Sequence, residues 1–73
     1  MTSSELLRID LITPRESFKS SLGMEYVVDR LYTCYVDSEA TWYCVQDTLK
    51  PNRFEWFPDS LYNVYFQWVR NLA

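Results

Sequence analysis

Aromatic side chains dominate this chain and limit what it can fold into. Among its 73 residues are three Trp, six Tyr and four Phe, and 48% of all residues are apolar. Each aromatic side chain can bury about 150–250 Å² in a core, which favours a folded domain over disorder. We expect one domain over residues 1–73 that buries about 60% of its unfolded surface. So small a core cannot hide every large side chain, so clustered aromatics at the surface are expected to mark an interface.

The charge balance argues against several partners. Seven basic and ten acidic residues give a net charge of −3, which repels phosphate backbones and anionic lipids. The cations are scattered along the sequence, at Arg8, Arg15, Lys19, Arg30, Lys50, Arg53 and Arg70. No stretch approaches the roughly 20 apolar residues of a membrane span, and the N-terminal residues lack the basic start of a signal peptide. We therefore expect a cytoplasmic protein with no membrane partner, for which nucleic acid is a poor first candidate.

The side chains needed for common catalytic chemistry are missing. The chain has no His, the usual general acid or base near neutral pH, and its single glycine cannot build a phosphate-binding loop. Cys44 has only acidic residues, Glu39 and Asp47, as its nearest charged neighbours in sequence, which disfavours a reactive thiolate. The sequence thus predicts a protein that is not an enzyme and holds no cofactor.

Cys34 and Cys44 are predicted to be reduced thiols. With no His and no second cysteine pair, the chain lacks the usual ligands of a zinc site, so no metal is expected. If residues 37–40 form a four-residue hairpin loop, Cys34 lies opposite Tyr43 and not opposite Cys44. That register disfavours a disulfide bond.

Several segments have the composition of β-strands. Leu7, Ile9 and Leu11 alternate with Arg8 and Asp10, which predicts a half-buried first strand. Further segments are predicted as follows: one long strand over residues 25–36, bent near residues 29–30; a strand over 41–45; a strand over 54–57, ended by Pro58; one 3₁₀ turn over 59–62; and either a strand or a short helix over 63–69. Gly23 is expected to supply a turn before the long strand.

The stretch from Gly23 to Tyr62 resembles the SH3-type fold. The matching pieces are a glycine turn leading to a strand (residues 22–28), an acidic hairpin loop (37–39), a Trp-aromatic-x-small strand (42–45) and an aromatic-Pro ending before a 3₁₀ turn (56–61). The spacing is also similar to that of small bacteriophage proteins with SH3-like barrels. The resemblance implies an all-β protein, a small five-stranded SH3-like barrel with a 3₁₀ turn near residues 59–62.

The same resemblance suggests where a ligand would lie. Trp42 and Pro58 match the Trp and Pro that line the peptide groove of SH3 domains, and Asp37 and Glu39 match the acidic positions of that family. Leu61, however, replaces the expected groove Tyr, so half of the aromatic groove is missing. The resemblance therefore implies the fold and an outward-facing Trp42, but not binding to proline-rich motifs.

We hypothesise a non-enzymatic protein-binding module, in the form of a phage-encoded regulator or inhibitor that holds a basic patch of a host protein in the host cytoplasm. Aromatic anchors rimmed by charge give both affinity and steering. The candidate binding residues are Asp37, Glu39, Trp42, Trp56, Pro58, Leu61 and Tyr62. Of the aromatics, Trp56 and Phe57 are the ones we most expect in the core instead.

Three alternatives remain open. The chain could be a structural subunit or weak homodimer that pairs through its apolar tail, residues 62–72. It could be an acidic DNA mimic that blocks a DNA-binding protein, although it has no long run of negative charge. Stacking of single-stranded nucleic acid on surface aromatics is the third, and it lacks a basic groove.

Overall fold

A computed structural model describes residues 8–47 and 50–72 of the chain. The elements are β1 (Arg8–Pro14), β2 (Phe18–Lys19), β3 (Glu25–Tyr26), β4 (Tyr32–Val36), β5 (Trp42–Gln46), β6 (Phe54–Pro58), α1 (Asp59–Tyr65) and β7 (Phe66–Asn71). Strands hold 51% and the helix 11% of these residues, so the protein is mostly β.

Five strands form one antiparallel sheet in the order β6-β5-β4-β1-β7. The short strands β2 and β3 pair with each other within the connection from β1 to β4. The helix α1 joins the two edge strands, β6 and β7. Since β6 and β7 are not paired in the described part of the chain, the sheet is confirmed while closure into an SH3-like barrel stays a prediction.

Most predicted strands are present, with shifted ends. The first strand continues to Pro14, the strand predicted over residues 41–45 is β5, and the one predicted over 54–57 is β6. The long strand predicted over residues 25–36 is wrong, because residues 27–31 separate β3 from β4. Asp29 has a positive φ of 70° and the Arg30 N–H donates to the Val27 carbonyl, which closes a turn at the expected bend. Gly23 has a φ of 89°, as its predicted turn requires.

The segment after Pro58 differs from prediction. Residues 59–62 form the first half of an α-helix that continues to Tyr65, in place of a single 3₁₀ turn. Asn63 supports the longer helix, since its Nδ2 donates to the Asp59 carbonyl at 2.9 Å and to the Asp59 carboxylate at 3.1 Å. Both alternatives for residues 63–69 hold in part, because the helix ends at Tyr65 and β7 begins at Phe66.

One side of the sheet forms an aromatic core. The buried apolar side chains are Ile12, Met24, Tyr26, Tyr32, Cys34, Val36, Tyr43, Val45, Phe57, Tyr62 and Phe66. Phe66 lies at the centre of the ring contacts, with its centroid 5.1 Å from that of Phe57 and 5.3 Å from that of Tyr26. Aromatic pairs at these separations add to the stabilisation from burial.

The first strand turns the less apolar of its two faces toward this core. Asp10 is fully buried beside Ile12, whereas Ile9 and Leu11 are only partly buried; Leu7 lies outside the described residues. The buried Asp10 carboxylate accepts hydrogen bonds from Arg8 Nε at 2.9 Å and from Asn71 Nδ2 at 2.7 Å. These partners offset the cost of burying a charged group.

The hairpin between β4 and β5 has a different register from the predicted one. Cys34 lies opposite Val45, and Cys44 opposite Tyr35, because the loop is shifted by one residue to 38–41. Asp37 belongs to the paired region, since its N–H donates to the Trp42 carbonyl. Both cysteines are buried and unbridged, in agreement with the predicted free thiols.

Burial of the Cys34 thiol predicts a loss of stability in alkaline solution. Burial, with a smaller effect from the Asp10 charge, raises the pKa of Cys34 from 9.0 to about 12. The folded state therefore holds a proton that the unfolded state releases above pH 9, so this stability is present below pH 9 and is lost as pH rises toward 12. We expect this thiol alone to lower the free energy of unfolding, measured in urea, by about 2 kcal/mol between pH 9 and pH 10.5.

Cys34→Ala is the control for this pH dependence. The variant should be less stable at neutral pH, because it loses buried side-chain atoms, but its stability should fall less steeply between pH 9 and pH 10.5 than that of the native chain. An equal slope in both proteins would mean that the thiol does not contribute, and that buried tyrosines such as Tyr26, whose pKa burial also raises, account for the whole loss.

Candidate functional site

Four of the predicted binding residues meet at one end of the β5–β6 hairpin. Trp42, the first residue of β5, lies directly opposite Pro58, the last residue of β6. The Asp37 backbone pairs with that of Trp42 on its other side. Leu61 follows Pro58 in the first turn of α1 and is exposed. The sheet register thus brings together Asp37, Trp42 and Pro58, which are up to 21 positions apart in sequence.

Trp56 extends this surface along β6. It lies opposite Cys44, two residues before Pro58, and therefore on the same side of the sheet as Trp42. Trp42 is 48% exposed, as predicted, and Trp56 is 60% exposed. The expectation that Trp56 is core is wrong, because Glu55 and Phe57 occupy the inward face of β6. We call Trp42, Trp56, Pro58 and Leu61 the aromatic cluster.

Tyr62 does not belong to this surface. Its side chain is only 6% exposed and its ring stacks on that of Tyr43, with 3.9 Å between centroids and 7° between planes. Burial also raises the pKa of its hydroxyl group, in keeping with an apolar environment. The prediction of Tyr62 as a binding residue is therefore corrected, since the helix turns this ring into the core.

Acidic side chains surround the aromatic cluster. The Asp37 carboxylate accepts hydrogen bonds from the Thr41 N–H at 2.9 Å and the Thr41 hydroxyl at 3.0 Å. These bonds, led by the one from the backbone, lower the pKa of Asp37 and keep it charged at neutral pH. Glu39 is exposed in the 38–41 loop, and Asp59 is exposed at the start of α1, where its carboxylate accepts a hydrogen bond from the Tyr43 hydroxyl. We call Asp37, Glu39 and Asp59 the acidic rim.

The sequence prediction missed the rest of the apolar surface beside the cluster. The sheet register places Trp56, Cys44, Tyr35 and Ile9 in one row across four strands, on the side facing away from the core. Phe54 is exposed on the same side of β6. Alternation along β4 and β1 divides each strand into two faces. It would have indicated this row only if the sequence had also shown which face of β1 is buried.

Cationic side chains are grouped around a cavity at the other end of β5. The cavity has a volume of about 300 Å³ and is lined by Lys19, Gly23, Glu25, Val27, Arg30, Asp47, Lys50 and Arg53. It therefore gathers four of the seven cations of the chain, which corrects the prediction that the basic residues are scattered. We call it the cationic cavity.

Comparisons with known proteins assign no family or function to this site. No protein-family model, curated protein or solved structure matches the chain. Within residues 8–47 and 50–72, no group of three or more His, Cys, Asp or Glu side chains is placed to hold a metal ion. In the same residues, no helix has the length and apolar character needed to cross a membrane.

Proposed function

We propose that this chain is an SH3-like module that binds a basic segment of another protein through the aromatic cluster and the acidic rim. The succession of elements supports the SH3-like architecture: a turn at Gly23, an acidic hairpin loop, β5 beginning at Trp42, and β6 ending at Pro58 before a helix. On the sequence resemblance, we extend the proposal to a phage-encoded, non-enzymatic regulator or inhibitor that acts in the host cytoplasm.

The observation on which the proposal mainly rests is the pairing of Trp42 with Pro58 on an exposed face that also contains Trp56. Trp is among the residues that most often dominate binding energy, and apolar surface removed from water contributes about 25 cal/mol per Å². Two half-exposed Trp side chains on a rigid sheet are therefore effective anchors, because little side-chain freedom is lost when a partner covers them.

The acidic rim indicates the character of the partner. Asp37, Glu39 and Asp59 are carboxylates on the segments that adjoin Trp42 and Pro58, and a basic segment would complement them. Charge complementarity of this kind increases the rate of association and excludes acidic partners. The proposed partner therefore combines an apolar contact for Trp42 with flanking Lys or Arg side chains.

Trp42→Ala is expected to weaken partner binding at least tenfold while the chain stays folded, because a central Trp contributes about 2 kcal/mol or more to an interface. The tagged native chain and the variant would be used to capture proteins from bacterial lysate, with identification by mass spectrometry. The affinity of the captured partner would then be measured for both chains. Thermal unfolding of the variant checks that the fold is kept.

Trp68→Ala is the matched control. Trp68 is 55% exposed, close to the value for Trp42, but it lies on β7 at the opposite edge of the sheet. Its replacement should leave binding unchanged. Equal loss of binding in both variants would show that the interface is not centred on Trp42. Unfolding of Trp42→Ala would show that this residue is structural.

A separate observation supports the alternative that the chain forms a homo-oligomer. In the described part of the chain, β7 pairs with β1 on one side only, and Trp68, Val69 and Leu72 are exposed along it. A second copy could add its own edge strand there. Sedimentation of the same two variants separates the candidates: Trp68→Ala should shift a monomer–dimer equilibrium, whereas Trp42→Ala should not.

A further inference from the structure

We propose that the cationic cavity binds the phosphate group of a small molecule that also carries hydroxyl groups, such as a sugar phosphate. The cavity is lined by four cationic side chains and two carboxylates, which leaves two positive charges in excess in a chain whose net charge is −3. A phosphate monoester carries nearly two negative charges at neutral pH and would balance that excess.

Backbone hydrogen bonds close the turns that carry several of the cavity side chains. Lys19 and Glu25 are opposite each other in the β2–β3 hairpin, whose turn is closed by hydrogen bonds between Ser20 and Met24. In the β5–β6 connection, the Arg53 N–H donates to the Lys50 carbonyl at 2.8 Å. Hydrogen-bonded turns of this kind limit how far the backbone must rearrange when the cations gather around an anion.

Two kinds of cation contribute different contacts. The guanidinium groups of Arg30 and Arg53 present paired donors that match two phosphate oxygens, whereas Lys19 and Lys50 act as compact point charges. Glu25, which lies opposite Lys19 in the β2–β3 hairpin, supplies an acceptor suited to a ligand hydroxyl group. This combination of donors and acceptors favours a phosphate ester over a simple anion.

The volume of the cavity limits the size of the ligand that it can hold. A volume of about 300 Å³ lies at the small end of ligand pockets, which span about 300–1,000 Å³. Gly23 lines the cavity and adds no side chain there. A single phosphorylated sugar fits this space, whereas a polymer would need a continuous groove.

The test is a titration of the full chain, observed by ¹H–¹⁵N NMR, with ribose 5-phosphate, inorganic phosphate and ribose as separate probes. We expect saturable shifts at the backbone amides of the cavity residues with ribose 5-phosphate, weaker binding of inorganic phosphate and none of ribose. Absence of saturable shifts at these residues would overturn the site. Equal affinity for ribose 5-phosphate and inorganic phosphate would overturn the assignment of a hydroxyl-bearing ligand.

Arg53→Gln and Arg70→Gln form the matched pair of variants, since both residues are exposed and only Arg53 lines the cavity. Arg53→Gln should weaken ribose 5-phosphate binding about tenfold, as expected for a lost charge-assisted hydrogen bond, and Arg70→Gln should not. An equal loss in both would show attraction to net charge alone and overturn the proposal. Trp42→Ala should bind the probe normally, so this test is independent of the aromatic cluster.

Discussion

Phe66→Ala is expected to lower the free energy of unfolding by about 4 kcal/mol, the largest effect of any single replacement considered. Phe66 is 1% exposed and its ring contacts those of Phe18, Tyr26, Phe57 and Tyr62, at centroid separations of 5.1–5.9 Å. Its removal would leave a cavity at the point where the helix, the edge strand and the β2–β3 hairpin meet. A domain of this size has roughly 4–11 kcal/mol of stability, so the variant should be partly unfolded at 37 °C.

Phe54→Ala is the control, because it makes the same chemical change at a ring that is 52% exposed on the other side of the sheet. Urea unfolding followed by circular dichroism should show a loss of less than about 1 kcal/mol for Phe54→Ala. Similar losses in the two variants would contradict the assignment of the core to the side of the sheet that contains Phe66.

Tyr26→Phe is expected to cost about 3 kcal/mol of stability, although it removes a single oxygen atom. The Tyr26 hydroxyl donates to Glu55 Oε1 at 2.9 Å, and both residues are buried. Burial and this hydrogen bond raise the pKa of Tyr26, so the hydroxyl keeps its proton at neutral pH. Among the described residues, it is the only hydrogen-bond donor to the Glu55 side chain, and its loss leaves a buried carboxyl group unsatisfied.

A second replacement separates this loss from a change in packing. Glu55→Met in the Tyr26→Phe background should restore more than half of the lost stability, because replacing both polar partners avoids the unpaired group. Tyr35→Phe is the control, since the Tyr35 hydroxyl lies 3.5 Å from Gln46 Oε1 and is only partly buried. If Glu55→Met further destabilises the Tyr26→Phe variant, the cost is one of packing and not of hydrogen bonding.

Much of the sheet could be predicted because local composition determines it. Branched and aromatic residues marked β4, β5 and β6, and Pro58 marked the end of β6. The inward face of β1 could not be predicted in this way. Alternation favoured burial of Ile9 and Leu11, but Asp10 is buried instead, since its partner Asn71 approaches from a strand 61 residues away.

Only part of the aromatic cluster could be predicted from the sequence. Trp42 is exposed and Pro58 ends β6, as the sequence predicted. Trp56 and Phe57 are adjacent apolar residues, so the sequence could not tell which one faces the core. The cationic cavity was missed for a different reason. Its basic residues come from two connections that only the folded sheet brings together.

The acidic hairpin residues and the cationic cavity lie at opposite ends of β5. Asp37 and Glu39 precede this strand, and Lys50 and Arg53 follow it, so negative and positive groups are separated by at least the strand length of about 13 Å. The field of a charged partner exerts a torque on such a charge distribution before contact. For the basic partner proposed above, such a field favours an approach with Trp42 in front and Arg53 behind.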